Sequence, residues 1–61
     1  MITQLYVVRY QRVEAAEDVY TIFETLAEAK HFGQYIRYYA SGEVDIFSMH
    51  GNIVLSLPEY S

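Results

Sequence analysis

The chain has 61 residues, no Cys, four Lys or Arg against eight Asp or Glu, and a net charge of −4. Length limits it to one domain near the lower bound for folding alone, since chains of this size bury only about 60% of their unfolded surface. The composition excludes a disulfide scaffold and gives no electrostatic drive toward a phosphate backbone.

The first residues lack the basic start and long apolar run of a signal peptide, and no stretch approaches the ~20 apolar residues of a membrane span. Together with the missing Cys, this leads to the expectation of a cytoplasmic protein. Residues 2–11 form a β-prone run with Leu5, Tyr6, Val7, Val8 and Tyr10. Alternation puts Ile2, Tyr6, Val8 and Tyr10 on one side and Leu5, Val7 and Arg9 on the other. Charge and alanine break the pattern at 12–17, and a second strand resumes over 18–24, so the pair reads as a hairpin with its loop near Glu14 to Glu17.

Thr25-Leu-Ala-Glu28 is a capping box: the Thr25 hydroxyl accepts from the Glu28 amide and the Glu28 carboxylate returns to the Thr25 amide. A helix therefore starts there and is expected to run to Ala40. At ~100° per residue its core stripe is Leu26, Ala29, Phe32, Gly33, Ile36, Tyr39 and Ala40. Gly33 within that stripe implies close approach to a sheet, and Gly42 suits a left-handed cap. A third strand over 43–49, a turn at His50-Gly51-Asn52 and a last strand over 53–57, stopped by Pro58, complete the order. The expected fold is a single α+β domain, an antiparallel sheet of three to four strands packed on one helix, β-β-α-β-β.

Seven Tyr and three Phe exceed what one small core buries. One helix covers one sheet face, and the strands offer two apolar sets. In the first assignment Leu5, Val7, Val19, Phe23 and Ile46 meet the helix. Tyr6, Val8, Tyr10, Tyr20, Ile22, Phe47 and Met49 are then left on the reverse, although the strand registers that decide this are not legible. The bare set is expected to bind a partner or a second copy, two sheets packing back to back as a homodimer. His31, Tyr35 and Tyr38, at i, i+4 and i+7, form a second candidate surface, with the alternative that Tyr35 leans over the sheet edge to finish the core. Tyr6, Tyr10, Tyr20, His31, Tyr35 and Tyr38 are thus the partner-binding candidates.

No chemistry is assigned. His31 and His50 lack further ligands at metal spacing, and Glu14, Glu17 and Asp18 read as a solvated loop rather than a cation site. Gly33, Gly42 and Gly51 are scattered rather than forming a phosphate loop, and the Ser48 to His50 spacing has no acid partner. Arg9, Arg12, Lys30 and Arg37 are too few for nucleic-acid binding. No catalytic residue, cofactor or metal is expected.

The run Phe23-Glu-Thr-Leu-Ala-Glu-Ala29, a strand entering a capped helix, resembles the corresponding segment of the small bacteriophage inhibitors of host RNA polymerase. The likeness covers the strand-to-helix half. It implies a compact phage or mobile-element protein that binds and inhibits a host protein, RNA polymerase or a bacterial defence system. It carries over no binding residue. The competing expectation is a homodimeric structural or assembly protein, or an antitoxin-like subunit.

Overall fold

Two hairpins joined by a helix account for the architecture, seen in a computed structural model that describes residues 4–14 and 17–59. The elements are β1 (Tyr6–Gln11), β2 (Asp18–Phe23), α1 (Leu26–Ile36), β3 (Val44–Ser48) and β4 (Ile53–Leu57). They form one antiparallel sheet in the order β2-β1-β3-β4, with β1 against β3 at its centre. The expected β-β-α-β-β order and α+β class are therefore found, with all four strands paired. Ile2 lies outside the described residues, as do Ala15 and Ala16 of the first hairpin loop, which is closed by the Arg12 amide donating to the Glu17 carbonyl.

Thr25 is the N-cap, in extended conformation, and its hydroxyl oxygen accepts from the Glu28 amide at 3.1 Å. The return contact differs from expectation: the Glu28 carboxylate accepts from the Thr25 hydroxyl at 3.0 Å rather than from the Thr25 amide. The helix also ends earlier than its periodicity implied. After Ile36 the chain turns through Arg37–Tyr39, and Ala40 bridges to Arg12, with the Ser41 amide donating to the Gln11 carbonyl. Pairing with the end of β1 thus displaces the last helical turn, since it satisfies backbone groups that would otherwise stay in the helix. Consequently Tyr39, expected in the core stripe, is 62% exposed, whereas Ala40 is buried as a bridge residue. Gly42 adopts φ +84° as foreseen, but in the turn leading into β3 rather than as the helix cap.

Registers decide which side of the sheet meets the helix. Val8 lies opposite Ile46 and Thr21, Tyr10 opposite Val19, and Tyr6 opposite Phe23. Tyr6, Val8 and Tyr10 therefore share the helix side with Val19, Phe23 and Ile46, which corrects the first assignment: Leu5 and Val7 belong to the other face. Both sides of β1 are apolar, so alternation alone carries no sign of which is inward.

The core consists of Val8, Ala29, Ala40, Val44, Ile46 and Leu57, with Tyr6, Tyr10, Phe23, Leu26, Phe32, Ile36 and Leu55 packed around it. Fully burying a Val or Ile side chain contributes about 1.5–3 kcal/mol. Phe32 sits between Phe23 and Tyr10, with ring centroids 5.1 and 6.0 Å away. Gly33 is buried where the helix comes closest to the sheet: a Cβ there would lie 3.1 Å from Leu57 Cδ1 and 3.7 Å from Ile46 Cδ1. Close approach, the role read for this glycine, is what the structure displays. Arg37 ties the helix end to the segment just after β4 by donating from Nη2 to the Pro58 carbonyl at 2.8 Å.

Candidate protein-docking surfaces

No described helix covers the reverse of the sheet. Cross-strand pairing aligns Ile22, Val7, Phe47 and Ile53, one residue from each strand, into an apolar row. The next row is polar and also spans the sheet: Tyr20, Arg9, Asp45 and Ser56. Ile22 and Ile53 at the ends of the apolar row are 63% and 59% exposed, while Val7 and Phe47 between them are half-buried.

Within the polar row Arg9, Asp45 and Ser56 bond to one another, and Asp18 adds a contact from outside it. Arg9 donates from Nε to Asp45 Oδ2 at 3.2 Å and from Nη2 to the same oxygen at 2.5 Å, and Nη1 reaches Asp18 Oδ1 at 3.3 Å. Ser56 donates to Asp45 Oδ1 at 3.0 Å. The hydrogen bond to Asp45 holds the guanidinium above its ordinary range, against a smaller opposing effect of desolvation, so Arg9 remains cationic. The row is thus a mostly neutralised strip beside an apolar one, a composition suited to contact with another protein.

The sequence candidates separate into three places. Tyr20 lies on the reverse face, beside Arg9, as foreseen. Tyr6 and Tyr10 do not: both are half-buried on the helix side, and the Tyr6 hydroxyl donates to Gln4 Oε1 at 3.0 Å. His31 and Tyr35 line an open groove of about 530 Å³ with Phe23, Ala27, Glu28 and Phe32. Tyr38 falls beyond the helix and lines a different cleft, of about 510 Å³, with Tyr10, Arg12, Val13, Glu14, Ile36 and Tyr39. The early end of α1 is what divides the expected His31–Tyr35–Tyr38 stripe. Tyr35 does not finish the core; it is 56% exposed and its ring lies 5.5 Å from that of Tyr39.

Sequence reasoning missed Val7 and Ile53 as residues of the uncovered apolar row. Arg9 and Asp45 were the available signal. A charge in the middle of each central strand marks the side without a helix, and Val7 and Phe47 follow from the same alternation.

Other candidate chemistry resolves into local structure. The Ser48 hydroxyl oxygen accepts from the His50 and Asn52 amides at 3.3 and 3.4 Å, so the Ser48–His50 spacing is part of the β3–β4 turn, where Gly51 has φ +86°. Asp18 of the acidic loop is held by Arg9. Among the described residues no three His, Asp or Glu side chains gather where they could hold a metal, and no helix is long and apolar enough to cross a membrane. Comparison with protein-family models, curated proteins and solved structures finds no match.

Proposed function

We propose that the chain is a small non-catalytic protein-binding module whose uncovered sheet face docks on another protein. One observation carries this reading: among the described residues, large hydrophobic side chains left exposed, including Ile22, Tyr20 and Ile53, outnumber those fully buried, Ile46, Val8 and Val44. A contiguous apolar row beside a neutralised polar strip is the kind of surface that a partner covers. The finer reading is a phage or mobile-element protein that binds and inhibits a host protein, RNA polymerase or a defence system, in the cytoplasm of a bacterial host. That part is supported by the resemblance of Phe23–Ala29 to the phage polymerase inhibitors.

The test is capture of proteins from a bacterial lysate on the tagged chain, compared with Ile22→Lys and with the double variant Tyr35→Ala, Tyr38→Ala. A stoichiometric protein retained by the wild type and by the helix-side variant, but lost with Ile22→Lys, is the expected result. Retention by Ile22→Lys with loss in the Tyr variant moves the docking surface to the helix side. If the wild type retains nothing, host-protein binding fails for that host.

A further inference from the structure

The two edges of the sheet are not equivalent. At one edge β4 pairs with β3 through a register shift beside Ile46 and Phe47. At the other, β2 keeps step with β1 over six consecutive residues, Asp18 to Phe23, without a break. After Asp18 it reads Val-Tyr-Thr-Ile-Phe, with no charge and no Pro, and no described strand pairs with its outer side. Such an edge presents a row of backbone N–H and C=O groups that another extended chain can continue. The edge also adjoins a groove. Phe23, the last residue of β2, lines the opening of about 530 Å³ with Ala27, Glu28, His31, Phe32 and Tyr35 of α1. Val19 and Thr21 lie on the same side of β2 as Phe23, so alternate side chains of an added strand would point toward that flank of the helix.

We infer that this edge and its groove bind an extended basic segment of another protein by strand addition. The edge and groove define the site, and charge selects the occupant. Exposed Glu17 and Asp18 stand at one end of β2, and exposed Glu24 and Glu28 at the other. The basic residues do not cancel them. Arg9 is held by both Asp45 and Asp18, Arg12 meets Glu17 at the loop end through its backbone amide, and Arg37 reaches Pro58 beyond the opposite edge. Lys30 falls on the far flank of α1, about 160° from Glu28 at ~100° per residue. A second copy does not suit the edge. Antiparallel self-pairing brings Glu17 and Asp18 toward Glu24 of the other chain, and parallel pairing brings each carboxylate toward its own counterpart. A segment with Lys or Arg at both ends and an aromatic or aliphatic residue between them complements the whole site. Its backbone continues the ladder, its cations meet the two acidic ends, and its apolar side chain enters the groove. This does not depend on what the reverse face of the sheet binds.

The probe is a synthetic peptide, Lys-Lys-Val-Thr-Phe-Thr-Val-Lys-Lys, titrated into the full chain by calorimetry and by amide hydrogen exchange. One-to-one saturable binding is expected, with slowed exchange at alternate amides of β2 and weaker binding at higher salt. Replacing all four Lys by Glu should abolish binding, and replacing the central Phe by Ala should weaken it about tenfold. Two N-methylated forms test the ladder, one modified at Val, Phe and Val and the other at both Thr. One of them should bind at least about tenfold more weakly, because only alternate amides of an added strand face the edge. The double variant Glu17→Lys, Glu24→Lys leaves the Thr25 cap and the Arg9 ion pair in place and should weaken the Lys peptide about tenfold. Circular dichroism verifies that the variant folds. Absence of binding at millimolar peptide overturns the inference. So does affinity unchanged by the Glu, Ala or double-variant substitutions, or equal affinity for both N-methylated forms. Protection confined to β4, or a bound peptide that is helical, overturns it as well.

Discussion

The two faces of the sheet are built from the same four strands, yet they solve different problems. On the helix side, Val8, Val44 and Ile46 are fully buried under α1, and Gly33 lets the helix backbone close on them. On the reverse side, the same strands present Ile22, Val7, Phe47 and Ile53 without cover, next to a row that neutralises its own charge. Hydrophobicity alone does not tell the faces apart. What separates them is where the charges of the central strands fall, because burying Arg9 or Asp45 under a helix costs far more than leaving Val7 half-wet.

That contrast is broken most severely by Ile46→Ala, which leaves a cavity under the helix and should cost about 2–4 kcal/mol in urea unfolding. A loss below about 1 kcal/mol would mean that the helix does not seat on the sheet as described. Next is Gly33→Leu, whose side chain must displace Leu57 and Ile46; a cost of about 1–3 kcal/mol is expected from overpacking. Gly33→Ala sharpens the point, since the gain in helix propensity, about 1 kcal/mol, opposes a Cβ contact of 3.1 Å with a side-chain terminus, leaving little net change. Thr25→Ala removes the cap and should cost about 1 kcal/mol, seen as a lower thermal midpoint with the same docking behaviour. A similarly small effect on stability is expected on the uncovered face: Ile22→Ala should change unfolding by less than about 0.5 kcal/mol while weakening partner capture, and equal losses in both would make Ile22 a core residue instead.

Much of this organisation is legible in the chain itself. The capping box, the turn glycines and the proline after β4 punctuate the elements, and Gly33 in an apolar stripe announces close packing. Two things were not. By hydrophobicity the phase of β1 is ambiguous, because Tyr6, Val8 and Tyr10 are as apolar as Leu5 and Val7; Arg9 on the Val7 side is the local signal, and the pairing with Asp45 and Ile46 fixes it. The helix end is hidden because Tyr38, Tyr39 and Ala40 continue a helical pattern, while the competing partner, the end of β1 at Gln11 and Arg12, lies far away in sequence. Both misreadings bear on the candidate surfaces: the first moves Tyr6 and Tyr10 away from the uncovered face, and the second separates Tyr38 from His31 and Tyr35.

Each hairpin is held by neighbours in sequence, but the seam between β1 and β3 joins residues that the chain must bring together from far apart. Arg9 and Asp45 face one another across that seam, 36 positions apart. A slip of one residue would carry either charge toward the apolar layer beneath α1 and expose Val8 or Ile46 in its place. The ion pair is partly buried, and its attraction is offset by the desolvation of both groups, so its net contribution to stability is modest. Its consequence is selection: among the ways two apolar strands can align, it penalises the misaligned ones, and so the pair acts as the key that fits one half of the molecule to the other.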